Sequence, residues 1–296
     1  MIVAPSRHFI EQDYDAYSLE DHATWQRLYS RMLPEWERCA NPRFLEGIAS
    51  LHLDPARVPK LDEVNRFLGP RTGFSARAVP GYVPAFEFFD CLRNRQFPTT
   101  VTVRPAGQLD YLPEPDIFHD IAGHVPMHTD PAFAETLVRF GACAHTAAAR
   151  VAGMPDGPGR IHVLASVVRA MARFFWFTVE FGLMRTDCGM KAYGSGLLSS
   201  HSELEHSIES GDVQRYPLQL EWVINQSFEI GHFQPLLFWV DSFDHLFEEV
   251  GRLEQWTRDG RLDHVAPCEP LVNELDLESF LPGAGAAGAR KEFPAA

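Results

Sequence analysis

Cysteine is scarce in this chain, and its distribution excludes two common ways of holding a fold together. The 296 residues include five cysteines, an odd number with no Cys-x-x-Cys pair. They are widely separated, at Cys39, Cys91, Cys143, Cys188 and Cys268. We therefore expect neither a disulfide framework nor a cysteine-ligated zinc site, and we expect a reducing, cytoplasmic compartment.

Long apolar runs and positive charge are lacking as well. Residues 1–8 contain no extended apolar core of the kind that marks a signal peptide. The most apolar run is about ten residues long and contains Glu180, whereas a membrane-spanning helix needs about 20. Lysine and arginine number 26 against 40 aspartates and glutamates, which gives a net charge of −14. We therefore expect no membrane and no nucleic acid as a partner.

The chain is long and apolar enough to form a substantial core. Hydrophobic residues make up 45% and charged residues 22% of it, which suits one large globular domain or two small ones. The sequence has no internal repeat and no clear domain boundary. We therefore predict a single domain over residues 1–281, followed by a disordered tail at 282–296 that is rich in glycine, alanine and proline.

Periodicity and capping residues predict a mainly α chain with a few short β-strands, an α+β fold. Ser18 opens a capping box, Asn41 and Asp130 each precede a proline at the first helical position, and Ser242 precedes an amphipathic segment. The predicted helices are 19–39, 42–51, 61–68, 84–92, 131–151, 161–185, 243–259 and one that begins near Ser202. The predicted strands are 99–104 and 233–240, and residues 194–200 are predicted to be a loop.

Residues 113–126, bounded by prolines, concentrate two histidines and three carboxylates. His119 and His124 are five residues apart, which at 3.6 residues per turn is ~140° around an α-helix. This is not the i, i+4 spacing of the HExxH zinc proteases. The pair can share a metal only at the open end of a helix or where the helix is irregular, and Gly123 and Pro126 favour such a place. Alternatively, both are ordinary half-buried histidines that hydrogen-bond to the backbone.

A single carboxylate, Glu180, stands in the aromatic run 174–183. Its helical neighbours are mostly apolar, and a buried unpaired carboxylate is costly, so Glu180 must be paired, protonated or bound to a metal. The alternative is an ion pair with Arg173 or Arg185, although neither is three or four residues away. Two histidines and one carboxylate form the facial triad of non-haem Fe(II) oxygenases. The same three ligands could also serve a zinc hydrolase.

Arg104 ends the predicted strand 99–104, shortly before the histidine segment. An arginine suits bidentate capture of a carboxylate, although an ordinary surface arginine is the commoner case. The aromatic residues Phe86, Phe88 and Phe89 have spacing that is more typical of a core than of a cofactor platform.

Four motifs together carry a resemblance to a known family. They are PEPDIFHDIAGHVP at 113–126, WFTVEFGL at 176–183, KAYGSGLLSS at 191–200 and FQPL at 233–236. In this order, over residues 80–250, they resemble the pterin-dependent aromatic amino acid hydroxylases, and most nearly the short bacterial members. The resemblance implies a mainly helical catalytic domain that uses Fe(II), tetrahydrobiopterin and O₂ to hydroxylate the ring of L-phenylalanine to L-tyrosine.

The resemblance also implies roles for individual residues. The implied iron ligands and catalytic residues are His119, His124 and Glu180. The residues implied to bind the substrate carboxylate are Arg104, Asp116, which holds the arginine, and Ser199. The implied pocket for the ring contains Leu112, Pro113, Trp176, Phe181 and Gly196. The implied pterin site contains Val83, Ala85, Phe88, Asp120 and Ala172.

The chain departs from the family in length and at some positions. The segment between the second histidine and Glu180 is longer, with the extra length near residues 144–160, and Asp120 and Ala85 replace the usual glutamate and serine. The family's regulatory domain and tetramer helix are absent, so we expect a monomer that binds an aromatic amino acid and a reduced pterin. Three alternatives stay open: another ring position or substrate, such as meta-tyrosine formation or tryptophan 5-hydroxylation; the zinc hydrolase; and a binding protein with a vestigial site.

Overall fold

Helices dominate the structure, a computed structural model that describes residues 8–110, 112, 114–155, 157–278 and 280. The α-helices are α1 (Leu19–Cys39), α2 (Pro42–Leu51), α3 (Leu61–Thr72), α4 (Ala85–Arg93), α5 (Val125–His128), α6 (Pro131–Ala152), α7 (Pro158–Phe175), α8 (Ser195–Leu198), α9 (His201–Glu209), α10 (Leu220–Val223), α11 (Phe243–Asp259) and α12 (Glu274–Glu278). A 3₁₀-helix spans Tyr14–Ala16, and two π-helices are π1 (His119–His124) and π2 (Trp176–Glu180). The predicted fold class is confirmed.

Two small sheets accompany the helices. In the first, β1 (Ser75–Val79) pairs in parallel with β2 (Gln96–Thr100). The second has the order β4-β3-β6-β5, from β3 (Leu183–Thr186), β4 (Gly189–Ala192), β5 (Gln214–Pro217) and β6 (Leu236–Val240). β3 and β4 form an antiparallel pair, whereas β6 runs parallel to both β3 and β5.

Polar caps begin the long helices where the sequence predicts. Ser18 Oγ accepts from the backbone N–H of Asp21, whose carboxylate accepts from the N–H of Ser18 in return. The side chains of Asn41, Asp130 and Ser242 accept backbone N–H groups of the first turns of α2, α6 and α11. These bonds satisfy donors that have no partner inside the helix.

Two predicted helix ends are wrong. The helix predicted for 61–68 continues through Gly69 and Pro70 and stops at Gly73, which has a φ of 76° in the left-handed region that glycine tolerates. The helix predicted for 161–185 ends at Glu180, and β3 follows almost at once. The turn between them requires Gly182, because a Cβ there would lie 2.2 Å from the carbonyl oxygen of Thr178.

The predicted strand 99–104 and the predicted loop 194–200 are also corrected. The observed strand is β2, which ends at Thr100, four residues before the predicted end. It ends there because its partner β1 stops at Val79, which pairs with Thr100. Arg104 therefore lies beyond the sheet. The loop contains the single-turn helix α8, and the next helix begins at His201 with Ser200 as its cap.

The core surrounds α7, which packs against α4, α6, α10 and α12. The buried apolar side chains form one cluster that extends from Trp25 to Leu277. The continuous helix Pro158–Glu180 is long and apolar enough to cross a membrane, but 72% of its most apolar window is buried inside the protein. A core helix passes the same test, so this is weak evidence for a membrane span. The tail predicted at 282–296 lies outside the described residues.

Candidate active site

The π-helix π1 brings the two predicted histidines together. Five residues separate His119 from His124, and the i→i+5 pattern of π1 is the irregularity that this spacing requires. Their Nε2 atoms lie 3.2 Å apart. Both nitrogens therefore face a common point.

Glu180, at the end of π2, completes the cluster. Its Oε1 lies 3.1 Å from His124 Nε2, and its Oε2 lies 3.5 Å from His119 Nε2. The alternative arginine partners are engaged elsewhere. Arg173 donates to three backbone carbonyls, and Arg185 pairs with Asp241. The carboxylate is thus directed at the histidines.

The electrostatics of the cluster favour the protonation states that a metal needs. Burial lowers the pKa of His119 to about 4, even though the nearby Glu180 opposes this shift. Burial alone would raise the pKa of Glu180, but the two histidines and the Ser195 hydroxyl lower it to about 2. At neutral pH the site therefore holds a neutral imidazole at His119 and an ionised carboxylate, as metal ligands require.

Asp120 is a second candidate for the third donor. One of its ligand atoms lies within 4.8 Å of those of both histidines. However, Asp120 Oδ2 accepts from the backbone N–H of Thr100 at 2.6 Å, and burial raises the pKa of this carboxyl to about 7. Glu180 is ionised and faces both Nε2 atoms directly, so the geometry favours Glu180.

Two serine hydroxyls contact the cluster, and the sequence singled out only one of them. Ser199 Oγ lies 2.8 Å from His119 Nδ1, so it orients that ring. Ser195 Oγ lies 2.8 Å from His124 Nε2 and 3.0 Å from Glu180 Oε2. The signal that could have identified Ser195 is the run of small residues in which it lies, at 194–200. A Cβ on Gly123 would lie 2.9 Å from the carbonyl oxygen of Ser195, so only glycine allows α8 to pack so closely on π1.

Arg104 and Asp116 form a buried ion pair beside the cluster. Arg104 Nε and Nη2 donate to the two oxygens of Asp116, each at 2.8 Å, and Nη1 donates to the carbonyl of Asp110. Asp116 Oδ1 also accepts from the backbone N–H of His119. The arginine keeps the pKa of Asp116 below its usual value, although burial alone would raise it. One carboxylate thus joins the guanidinium to the first histidine.

A cavity of about 140 Å³ lies between this arginine and the cluster. Six of the predicted substrate residues line it: Arg104, Leu112, Trp176, Phe181, Gly196 and Ser199. Asp116 lies behind the arginine, and Pro113 lies outside the described residues. The sequence did not single out Glu114, Pro115 and Ser200, which also line the cavity. A cavity of about 150 Å³ is known to hold a benzene ring, so the volume suits an aromatic side chain.

The indole of Trp176 is held in place by contacts on several sides. It stacks on Phe228 with the ring centroids 4.1 Å apart, and its Nε1–H donates to Gln234 Oε1. The backbone N–H of Gln234 in turn donates to the buried Glu203. The sequence included Gln234 in the FQPL motif, but it assigned no role to this glutamine or to Glu203. A Cβ on Gly196 would lie 2.8 Å from the ring of Phe181.

A larger cavity, of about 650 Å³, also adjoins the cluster. All five predicted pterin residues line it: Val83, Ala85, Phe88, Asp120 and Ala172. The Phe88 ring is held by an edge contact with Phe175, at a centroid distance of 5.3 Å. The small and large cavities share His119, Trp176 and Glu180 among their lining residues. Two ligands could therefore meet at the three donor groups.

Comparisons with known proteins show which family this chain is similar to. A model of the biopterin-dependent aromatic amino acid hydroxylase family matches residues 12–259. The phenylalanine-4-hydroxylase of Chromobacterium violaceum is 40% identical over 239 residues, which cover 81% of this chain and 75% of that protein. The phenylalanine-4-hydroxylase of Caulobacter vibrioides is 38% identical over 276 residues, which cover 93% and 85%.

Solved structures give the same result. The Chromobacterium violaceum phenylalanine hydroxylase with bound iron(III) and oxidised cofactor 7,8-dihydrobiopterin matches with a TM-score of 0.73 at 38% identity, covering 85% of this chain and 87% of that one. The same enzyme bound to cobalt matches with a TM-score of 0.76 at 36% identity, covering 91% and 95%.

Proposed function

This chain belongs to the biopterin-dependent aromatic amino acid hydroxylases, and we propose that it is an Fe(II)- and tetrahydrobiopterin-dependent monooxygenase that hydroxylates L-phenylalanine to L-tyrosine with O₂. The observation that supports this most directly is the meeting of two cavities at one cluster. Two histidine nitrogens and a carboxylate lie within 3.5 Å of one another there. A zinc hydrolase on the same three ligands would not account for either cavity.

The donor set suits Fe(II). Two imidazoles and one carboxylate on one side of an ion leave coordination positions open on the other side. His119, His124 and Glu180 would hold the metal, while the Ser199 hydroxyl would keep the ring of His119 in position. The chemistry that Fe(II) supplies there is activation of O₂, with the reduced pterin as electron donor.

Arg104 is suited to bind the amino acid carboxylate. A guanidinium has five N–H groups, and contacts with described residues engage three of them. Two N–H groups therefore stay available for a second carboxylate. Asp116 holds the arginine in place from behind, and a bidentate contact of this kind would fix the direction of the substrate.

The small cavity would then direct the substrate ring towards the metal. Trp176 and Phe181 supply its apolar walls, with ring centroids 4.5 Å apart. A Cβ at residue 196 would lie 2.8 Å from the ring of Phe181, so glycine at this position allows the Phe181 ring to take its place in the wall. These walls orient the ring and exclude water from the reacting atoms.

The larger cavity suits the reduced pterin. Its predicted residues combine a fixed aromatic ring at Phe88, a small residue at Ala172 and a hydrogen-bonding carboxyl at Asp120. A flat heterocycle can stack on the first and hydrogen-bond to the last.

We further propose that the protein is a cytoplasmic monomer whose partners are these small molecules. The net charge of −14 and the scattered cysteines support this proposal. Light scattering coupled to size-exclusion chromatography would measure the mass, and a mass of twice 33.4 kDa would contradict it.

The test of the function is reconstitution under anaerobic conditions. The protein is loaded with Fe(II), mixed with tetrahydrobiopterin, and exposed to O₂ with each aromatic amino acid in turn. We expect para-tyrosine from phenylalanine, identified by chromatography against ortho-, meta- and para-tyrosine standards. Only meta-tyrosine, or only 5-hydroxytryptophan from tryptophan, would contradict the proposed substrate and ring position. Hydrolytic activity with Zn(II), and no product with iron and pterin, would favour the hydrolase.

A further inference from the structure

The segment Glu269–Leu277 closes one side of the larger cavity, although it lies beyond residue 259, where the match to the family ends. Seven of its nine residues line that cavity, together with the predicted pterin residues. The small cavity, by contrast, has no lining residue from this segment. The segment therefore borders the proposed pterin site and not the proposed amino acid site.

The first end of the segment is fixed by a buried arginine. Arg173 is fully buried on α7, next to the predicted pterin residue Ala172. It donates through Nε to the carbonyl of Glu269 at 2.9 Å, through Nη2 to the carbonyl of Cys268, and through Nη1 to the carbonyl of Ile224. Charge-assisted bonds to a buried donor are among the stronger hydrogen bonds in proteins. They fasten the segment to the helix beneath the cavity.

The second end is fixed by apolar packing. Leu277 on α12 is 1% exposed, and the Phe280 ring stacks on Phe86 with centroids 4.1 Å apart. Phe86 belongs to α4, the same helix that presents Phe88 to the cavity. The segment is thus held between α7 and α4, which are also the helices that supply Ala172 and Phe88.

We propose that Glu269–Leu277 is part of the pterin-binding site and contributes directly to pterin affinity. This inference rests on the proposed function, because it deepens the assignment of the larger cavity. The side chains of Val272 and Leu277 offer an apolar surface to the heterocycle, and Asn273 offers a neutral amide. Asn273 Oδ1 accepts from the backbone N–H of Leu275, which leaves its NH₂ group as a donor for the carbonyl or hydroxyl groups of a pterin.

Two variants of the same helix test the proposal with a matched control. Leu277→Asp places a carboxylate where the side chain is 1% exposed and lines the cavity, whereas Leu275→Asp makes the same change two residues earlier at a position that is 71% exposed. We expect Leu277→Asp to raise the Kd for 7,8-dihydrobiopterin, measured by calorimetry, by at least about tenfold. Leu275→Asp should leave this Kd within about twofold of the wild type. The KM for phenylalanine should be unchanged in both.

A milder variant keeps the test valid if Leu277→Asp does not fold. Asn273→Ala removes an exposed amide, and with it the acceptor of the Leu275 N–H at the start of α12, so circular dichroism would verify that the fold persists. We expect the Kd for 7,8-dihydrobiopterin to rise about fivefold, as for one lost hydrogen bond.

Hydrogen–deuterium exchange of the unmodified protein supplies a readout that is independent of turnover. We expect 7,8-dihydrobiopterin to slow exchange of the amides in residues 269–277, and phenylalanine alone to leave them unchanged. If the wild type binds the pterin but Asn273→Ala binds equally well and the segment shows no protection, the inference is wrong while the function stands. If the wild type binds no pterin, the proposed function itself is wrong.

Discussion

Glu203 should make the stability of this protein depend on pH in a way that one substitution can remove. The side chain is 1% exposed on α9, and its Oε1 accepts from the backbone N–H of Gln234 at 3.0 Å. Its other oxygen has no hydrogen-bond partner among the described residues. Burial raises the pKa of this carboxyl from 4.5 to about 7, although the bond from Gln234 opposes the shift.

The sign of the effect follows from proton binding in the two states. Between pH 4.5 and 7 the unfolded chain has lost the proton of Glu203 while the folded protein retains it. The free energy of unfolding therefore falls as pH rises through this window, and it levels off above pH 7. At 1.36 kcal/mol per unit of pKa, a shift of this size corresponds to a loss of up to about 3 kcal/mol.

Glu203→Gln should abolish that loss, because the amide keeps a carbonyl oxygen for Gln234 and cannot ionise. Urea unfolding at pH 5, 6, 7 and 8, on chelator-treated protein, would measure the free energy of unfolding of variant and wild type. We expect the variant to gain about 2.5 kcal/mol relative to the wild type between pH 5 and 8.

Glu205→Gln is the control for this prediction, since Glu205 lies exposed on the same helix. The difference in the free energy of unfolding between Glu205→Gln and the wild type should stay nearly constant with pH. If the Glu203→Gln difference is equally constant, or if both variants gain equally, then burial does not hold a proton on Glu203 and the reasoning is wrong.

Three further variants test the active site. Glu180→Ala removes one of three donors, so the affinity for Fe(II) or Co(II) in a metal titration should fall by more than about 100-fold; an unchanged affinity would mean that another group is the third ligand. Arg104→Ala leaves Asp116 buried without its counter-charge, so urea unfolding should show a loss of ~3–5 kcal/mol and the KM for phenylalanine should rise while iron stays bound. An unchanged KM would remove Arg104 from the substrate site. Gln234→Leu leaves the indole N–H of Trp176 without its acceptor, so the KM for phenylalanine should rise about fivefold. An unchanged KM would mean that this hydrogen bond does not hold the wall of the small cavity in place.

The sequence predicted the long helices well because their boundaries are local. Ser18, Asn41, Asp130 and Ser242 each cap the helix that they were predicted to begin. The strands were harder to predict, since they are four or five residues long and several of them pair with partners far away in the chain. β3, for example, pairs with β6 more than 50 residues later, and no local periodicity contains that information.

The site residues likewise include some that the local sequence identifies and some that depend on contacts with distant segments. The three metal-ligand candidates could be proposed from the sequence because their residue types and spacing are distinctive, and Arg104 because it ends a predicted strand shortly before the histidine segment. Ser195 and Gln234 could not be assigned a role, because each acts through contacts with residues from other segments. Ser195 contacts His124, which lies 71 residues earlier in the chain, and Gln234 contacts Trp176, which lies 58 residues earlier. Small polar residues become interpretable only when the fold shows what they touch.

The two π-helices explain how a five-residue spacing can form a metal site. In a regular α-helix, His119 and His124 would point ~140° apart and could not face one ion. π1 changes that direction by its i→i+5 pattern, and π2 ends at Glu180 beside it, so all three donors come from or adjoin irregular helix. A π segment is uncommon and is found frequently at functional sites. The close packing of α8 against Gly123 fills the side of π1 next to the donors. The five-residue spacing therefore excludes the i, i+4 geometry of a zinc protease. Together with the structure, it indicates a site whose ligand geometry depends on the π-helix and on Gly123.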